Sequence, residues 1–122
     1  MVMMATYKTE HTFEARCAES LKIRERNPLK IPVIVEPNPY IANSPILLDK
    51  KKFLVPVNFT MSQFYMVVRK RVRLTPEQAL FIFFDKSHVA PMSANMISMY
   101  ENHKDADGFL YATYSKENTF GS

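Results

Sequence analysis

The sequence contains very little of three residue types that shape small domains: one cysteine, two glycines and no tryptophan in 122 residues. Because Cys17 stands alone, no internal disulfide can form, which predicts a protein of a reducing compartment such as the cytosol. Scarce glycine beside nine Phe and six Tyr excludes a disordered or low-complexity chain and predicts a packed aromatic core. The length fits one globular domain.

Long hydrophobic runs are also missing from the sequence. No stretch reaches the roughly 18 apolar residues of a membrane-spanning helix, and the first residues lack the basic segment and apolar run of a signal peptide. We therefore expect any attachment to a membrane to be acquired by modification.

Clustered side chains that would indicate catalysis or metal binding are lacking too. His11, His88 and His103 are scattered along the chain, which predicts surface or capping roles for them. Cys17 and His11 are six residues apart on a predicted helical stretch, so they would not share a face as nucleophile and base. We expect no catalytic residues, no metal site and no enzyme activity.

Positive charge is concentrated in two places, although the net charge is only +4. The clusters are KKK at 50–52 and RKRVR at 69–73. Both clusters suit anionic partners such as acidic peptides, phosphates or anionic lipid. The alternative is that the lysine run is only a charged strand end and the 69–73 cluster only a solvated helix face. No aromatic residues alternate with the basic ones to stack on bases, so we expect no nucleic-acid partner.

The first half of the chain predicts a helix followed by a hairpin. Residues 12–26 are good helix formers with apolar Phe13, Cys17 and Leu21 at spacings of four, and Pro28 ends the run. KIPVIVE at 30–36 predicts a strand buried on both faces, in which Pro32 lacks a backbone donor and implies an unpaired stretch. A loop at 37–49 leads to KFLVPVN at 52–58, a second strand for which Pro56 predicts a sheet-edge position or an early end.

The second half of the chain predicts one well-marked helix and two further strands. Thr60 and Gln63 resemble a capping box. The helix that they open carries an apolar stripe, formed by Phe64, Val67, Val68 and Val72. The remaining elements are a central strand (80–84), a helix (93–102) with Met96, Ile97 and Tyr100 inward, and a final strand (109–114). This order suits an α+β fold with a mixed sheet around one helix, the β-grasp architecture, and leaves ferredoxin-like arrangements open.

Short motifs add information that periodicity does not give. In one order they are FE (13–14), IR (23–24), IPVIVE (31–36), DKKKFLVP (49–56), QFY (63–65), RKR (69–71), AL (79–80), Tyr111 and ENTFG (117–121). Together they resemble the ubiquitin-like modifiers of autophagy, the GABARAP-like and microtubule-associated light chain 3-like family. The resemblance implies an α+β ubiquitin-like β-grasp, a mixed four-stranded sheet around a central helix, with an N-terminal helical extension. We expect a helical region at 1–28, a core at 29–116 and a flexible tail at 117–122 in one domain.

The end of the chain carries the most specific residue. Gly121 follows an aromatic residue where no turn requires glycine, and a residue without a side chain fits the narrow clefts of proteases and of enzymes that carry thioesters. A casual chain end is the alternative. The resemblance implies that an autophagy cysteine protease removes Ser122 and that ubiquitin-like activating and conjugating enzymes join Gly121 to phosphatidylethanolamine. That lipid is the only attached group implied, and it would move a cytoplasmic protein to autophagosomal and related vesicle membranes.

The resemblance also implies a docking edge for peptides with an aromatic-x-x-aliphatic motif. The pocket for the aromatic side chain maps to Glu19, Ile23, Pro32, Ile34, Lys52, Leu54 and Phe109. The pocket for the aliphatic side chain maps to Phe53, Val55, Pro56, Phe59, Phe64 and Val67. Basic residues that would meet acidic peptides are Lys30, Lys50, Lys52 and Arg71. Because a docking face needs open apolar area, we expect about half of the apolar residues to be partly exposed.

Two alternatives remain open at this point. An unconjugated β-grasp adaptor would bind the same peptides and differ only in the fate of Gly121. A basic protein of the cytoskeleton would bind acidic tails, for example of microtubules, and high salt would abolish that binding. The loop at 40–46, Val57-Asn58 and Lys116 depart from the family pattern and bear on partner preference and processing. We expect a monomer before lipidation.

Overall fold

The computed structural model describes residues 5–38, 50–85 and 88–118, without the side chains of 117 and 118. The elements are α1 (Tyr7–Glu10), α2 (Phe13–Arg26), β1 (Lys30–Pro37), β2 (Lys52–Pro56), α3 (Met61–Val72), β3 (Gln78–Phe84), α4 (Met96–His103) and β4 (Leu110–Asn118). This order confirms the predicted succession of strands and helices after an N-terminal helical region. Of the loop predicted at 37–49, Pro37 belongs to β1 and residues 39–49 lie outside the described residues. Of the tail predicted at 117–122, residues 119–122 also lie outside them, whereas 117 and 118 belong to β4.

The four strands form one mixed sheet in the order β2-β1-β4-β3. β1 is antiparallel to β2 and parallel to β4, and β3 is antiparallel to β4. The predicted hairpin and the edge position of the second strand are therefore confirmed. The prediction that residues 80–84 form a central strand is wrong, because among the described strands β3 lies at the sheet edge and the final strand, β4, is central.

Pro32 is accommodated in β1 although β1 is a central strand. It lies opposite Leu54 of β2 and precedes the first residue pair with β4, Val33 with Leu110. Pro32, which has no N–H group, therefore lies one residue before the parallel pairing of β1 with β4 begins. The unpaired stretch that Pro32 implied is correspondingly short.

The larger core lies between α3 and one face of the sheet. Thr60 accepts a hydrogen bond from the Gln63 N–H, and the Gln63 side chain accepts one from the Thr60 N–H, so the predicted capping box is confirmed. The buried residues of this helix are Met61, Phe64, Val68 and Val72. They pack in one cluster with the inward residues of every strand. Val67, which the stripe placed inward, is 36% exposed.

The opposite face of the sheet is covered by α1 and α2 through a smaller cluster of Tyr7, Ile23, Ile34 and Phe109. The apolar residues at spacings of four do not mark the packing face of α2, since Phe13 and Leu21 are exposed. The buried residues of α2 are Arg16, Ser20 and Ile23. Apolar spacing does not indicate this face, because two of its three residues, Arg16 and Ser20, are polar and form hydrogen bonds with Asp107, far along the chain.

Helix α4 starts at Met96 and not at the predicted residue 93. The carbonyl groups of Met92 and Ala94 accept hydrogen bonds from the first N–H groups of α3, at 3.0 Å from Ser62 and 2.7 Å from Met61. These N–H groups would otherwise lack partners, because a helix cannot satisfy its own first turn. Residues 92–95 therefore cap α3 instead of extending α4. Met96 and Tyr100 are inward as predicted, and Met99 rather than Ile97 is the third buried residue.

Candidate functional site

Strand β2 presents two different faces. Phe53 and Val55 point into the larger core, whereas Leu54 between them is 42% exposed. Within the described residues β2 forms one edge of the sheet, with β1 on its only paired side. An edge strand offers backbone N–H and C=O groups to an added extended chain. This edge is therefore the candidate docking surface.

The residues predicted for the aliphatic pocket divide between core and surface. Phe53, Val55 and Phe64 are buried in the larger core. The partly exposed members are Pro56, Phe59 and Val67. Phe53, Val55 and Phe64 thus belong to the core beneath the predicted pocket. Among its six residues, Pro56, Phe59 and Val67 are the ones exposed enough to contact a ligand in this conformation.

The residues predicted for the aromatic pocket are more closed. Ile34 and Phe109 are fully buried, Ile23 and Pro32 are buried, and Leu54 is exposed. Four of the eleven apolar residues in the two pockets are therefore partly exposed, fewer than the half that was expected. The ring of Tyr7, which the sequence did not single out, lies 5.3 Å from the ring of Phe109 in an edge-on arrangement.

Charged side chains lie beside the residues predicted for the aromatic pocket. Lys52 Nζ lies 2.9 Å from Glu19 Oε1. That hydrogen bond lowers the pKa of the Glu19 carboxyl, against the opposing effect of partial burial. Lys50 Nζ lies 5.4 Å from the centre of the Phe53 ring, and Lys51 Nζ lies 3.2 Å from Glu10 Oε1. A cavity of about 570 Å³ at this place is lined by Tyr7, Glu10, His11, Ala15, Glu19, Lys50, Lys51 and Lys52.

Two other predicted basic residues are not brought to this cavity. Lys30 is half-buried at the start of β1, and its carbonyl accepts a hydrogen bond of 2.6 Å from Arg24 Nη1. Arg71 is exposed on the last turn of α3. The lysines at 50–52 therefore form the local basic surface, with Arg71 on a separate element.

A buried polar network joins α2 to the turn before β4 and to β4 itself. Arg16 Nη1 and the Tyr111 hydroxyl each lie 2.6 Å from Asp107 Oδ2, and the Phe109 N–H donates to Asp107 Oδ1 at 2.8 Å. Ser20 Oγ donates to the Asp107 carbonyl. Burial and the hydrogen bond to Asp107 raise the pKa of Tyr111 far above its ordinary value. We call these four residues, Arg16, Ser20, Asp107 and Tyr111, the Asp107 network.

Sequence reasoning missed most of this network. Its one local signal is the Asp107-Gly108 pair, a turn dipeptide in which Gly108 has a φ of 90°. Arg16 and Asp107 are 91 residues apart, so nothing local indicates that they pair.

His11 and His88 lie at the surface, as predicted, but the structure brings His88 together with His103 although the two are distant in sequence. The rings of His88 and His103 stack with centres 4.9 Å apart, and His103 Nδ1 lies 2.5 Å from Asp85 Oδ2. His11 caps α1 and packs on Tyr7. Within the three described ranges, no group of three His, Cys, Asp or Glu side chains could hold a metal ion.

Among the described residues, no helix is both long enough and apolar enough to span a membrane. The two residues predicted for processing, Gly121 and Ser122, lie outside the described part of the chain.

The mixed sheet around α3, preceded by two helices, defines the class: a ubiquitin-like β-grasp protein with an N-terminal helical extension. The family model described as "Autophagy protein Atg8 ubiquitin like" matches residues 15–121. The chain therefore belongs to the Atg8 family of ubiquitin-like autophagy proteins.

Individual relatives agree with this assignment over nearly the whole chain. An autophagy-related protein 8 of Coccidioides immitis is 51% identical over 121 residues, which are 98% of this chain and 100% of that protein. The one of Neosartorya fischeri is 52% identical over 120 residues, 98% of each chain. The crystal structure of Trypanosoma brucei ATG8 matches with a TM-score of 0.84 at 48% identity, covering 98% of this chain and 100% of that one. The protein is thus a ubiquitin-like modifier of autophagy.

Proposed function

We propose that a cysteine protease removes Ser122 and that Gly121 is then joined through its carboxylate to phosphatidylethanolamine on autophagosomal membranes. The family membership and the glycine next to the chain end support this proposal. Activating and conjugating enzymes of the ubiquitin-like type would form the amide. The protein would be cytoplasmic before this step and membrane-anchored after it, because the acyl chains of the attached lipid would be buried in the bilayer.

The second part of the proposal is that the β2 edge docks receptors carrying an aromatic-x-x-aliphatic motif. The observation that carries it is the exposed edge strand itself, with Leu54 on its outer face and the lysine run 50–52 at its start. An extended peptide would add to β2 as a further strand and place side chains three positions apart in the two pockets. The exposed Val67 of α3 would contact the aliphatic one.

The lysines would act mainly on the rate and register of binding. Lys50, Lys51 and Lys52 are all at least partly exposed, and acidic residues beside the aromatic position would meet them. Rim charges of this kind speed the encounter and lose their effect at high salt, whereas contacts in the pockets do not.

Docking can be tested with a labelled peptide that contains Trp-x-x-Leu preceded by two acidic residues. We expect Leu54→Lys and Val67→Lys to weaken binding about tenfold or more, because each removes apolar contact area from a pocket. Leu21→Lys and Met66→Lys are matched controls, since both residues are exposed on the neighbouring helices α2 and α3 outside the predicted pockets. Equal effects in both pairs would contradict docking at this edge.

The tail can be tested by intact mass after incubation with an active autophagy-type cysteine protease. The expected result is loss of Ser122 alone, blocked in Gly121→Ala. An unchanged mass, with the protease active on a known substrate, would leave an unconjugated peptide-binding adaptor.

A further inference from the structure

Helix α1 is held to the rest of the domain by few contacts. Its four residues include one buried side chain, Tyr7. The polar contacts are the Tyr7 N–H to Glu36 Oε2 at 2.8 Å and Lys8 Nζ to Asp105 Oδ1 at 2.7 Å, besides those made by Lys51. A helix of one turn is not stable alone, and segments with few buried contacts open most easily. Detachment of α1 therefore requires the loss of these contacts, of the Tyr7 packing on Phe109 and of the Lys8 Nζ contact 4.6 Å above the Tyr111 ring.

Tyr7 packs on the residues that would receive the aromatic side chain of a docked peptide. It shares one cluster with Ile23, Ile34 and Phe109, none of which is more than 8% exposed. Tyr7 also lines the cavity at the pocket mouth together with Glu19 and Lys52. Tyr7 therefore already occupies the surface of Ile23, Ile34 and Phe109 that the aromatic ring of a bound peptide would contact.

Lys51 fastens α1 to the docking strand. Its Nζ lies 3.2 Å from Glu10 Oε1 of α1, 3.3 Å from the Ala5 carbonyl and 3.5 Å from Glu36 Oε2 of β1. Its own carbonyl accepts the Val35 N–H at 2.8 Å, which fixes its backbone at the start of β2. One side chain thus joins the helix, the neighbouring strand and the proposed peptide edge.

We propose that α1 is a displaceable cover over the aromatic pocket, with Tyr7 as the covering side chain and Lys51 as its fastening. The inference rests on the proposed docking function and adds its regulation. Peptide binding in the aromatic pocket and packing of α1 over that pocket are therefore mutually exclusive. A peptide carboxylate that binds Lys51 draws it away from Glu10 and opens the cover at the same step.

The linkage has two measurable sides. If only the open state accepts the peptide, the apparent dissociation constant equals the intrinsic one divided by the open fraction. Release of α1 must then tighten binding, and by reciprocity peptide binding must release α1.

The test uses the full chain and a Trp-x-x-Leu peptide flanked only by Gly and Ser, so that no peptide carboxylate contacts the lysines. Lys51→Met breaks the ties to Glu10, Glu36 and Ala5 and keeps the long side chain. It should bind roughly threefold to tenfold more tightly than the parent chain. Lys50→Met is the matched control, with the same loss of charge in the same run and no such gain. Circular dichroism checks that both variants are folded.

Amide hydrogen exchange gives the second reading. The N–H groups of Glu10 and His11 donate within α1 to Thr6 and Tyr7, at 2.9 and 3.2 Å. Saturating peptide should speed their exchange, as Lys51→Met alone should. Binding with unchanged or stronger protection of these amides would overturn the cover and leave the docking function standing. Binding to Lys51→Met but not to the parent chain would support the cover, whereas binding to neither would overturn both proposals.

Discussion

The two faces of the sheet are covered by different kinds of contact. On one face α3 buries Phe64, Val68 and Val72 in a continuous apolar cluster. On the other face, among the described residues, Tyr7 of α1 and Ile23 of α2 form a cluster of four buried apolar residues with Ile34 and Phe109, and the Asp107 network adds polar contacts. The stabilisation from apolar burial scales with the buried area and depends little on salt or pH. A buried ion pair stabilises the fold only while both charged partners are present and in contact.

This difference bears on function because the proposed aromatic pocket lies on the more weakly covered face. We expect the side with α3 to remain folded while the helices on the other side adjust. Regions that open to bind ligands are drawn from the less stable parts of a fold. The four changes that follow test this contrast in order of expected effect.

Removing a large side chain from the larger core should cost the most. Phe64→Ala is expected to lower the free energy of unfolding by about 3–5 kcal/mol, because Phe64 is fully buried and packed neighbours relax only partly into such a cavity. Urea unfolding would measure it. Met66→Ala on the exposed side of α3 should cost less than about 0.5 kcal/mol. Similar losses in the two variants would contradict the assignment of the core.

Breaking the Asp107 network should cost somewhat less and act on the other face. Asp107→Ala leaves Arg16 and the Tyr111 hydroxyl buried without their acceptor, with an expected loss of about 3 kcal/mol. Hydrogen exchange should show α2 losing protection before α3. Arg16→Met combined with Asp107→Ala should recover part of the loss. A double variant as unstable as the sum of the two single ones would contradict this account.

Gly108 offers a test of how closely α2 approaches the turn after α4. Its φ is 90°, and an added Cβ would press against Ser20 Oγ and lie 3.1 Å from Ser20 Cβ. We expect Gly108→Ala to cost about 2 kcal/mol from backbone strain and this contact together. In a Ser20→Ala background the added cost should be smaller. The same cost in both backgrounds would show that only the backbone angle matters.

The smallest expected effect is a pH dependence at the pocket mouth. The hydrogen bond from Lys52 lowers the pKa of Glu19 below its ordinary 4.5. A carboxyl with a lowered folded-state pKa stabilises the fold above its unfolded pKa, and this contribution disappears as the pH falls through the folded value. Glu19→Gln should therefore be slightly less stable than the parent at neutral pH and equal to it in acid. A difference that stays constant on acidification would contradict this prediction.

Local patterns predicted the elements that depend on local chemistry. The capping box of Thr60 and Gln63, the edge position given by Pro56 and the order of strands and helices all follow from neighbouring residues. The motifs led further, to the family that the comparisons show. The roles of Gly121, Ser122 and the two pockets remain predictions.

Features that depend on distant partners could not be predicted in this way. Arg16 is buried because Asp107 neutralises it from another element, so a search for apolar spacing chose Phe13 and Leu21 instead. Residues 80–84 are apolar on both faces and suggested a central strand, yet β3 lies at an edge where Phe81 is 39% exposed. Tyr7 was not singled out, because its packing against Phe109 joins residues about a hundred positions apart in sequence.

The most direct test of the central claim, that this protein is a modifier conjugated through its glycine, is reconstituted lipidation. The chain ending at Gly121 would be incubated with ubiquitin-like activating and conjugating enzymes, ATP and vesicles that contain phosphatidylethanolamine, then followed by intact mass and vesicle flotation. The account predicts a mass increase of one phosphatidylethanolamine less one water, with the protein floating with the vesicles, and neither change in Gly121→Ala. Unmodified protein that stays out of the vesicle fraction, while a known family member is conjugated by the same enzymes, would contradict it.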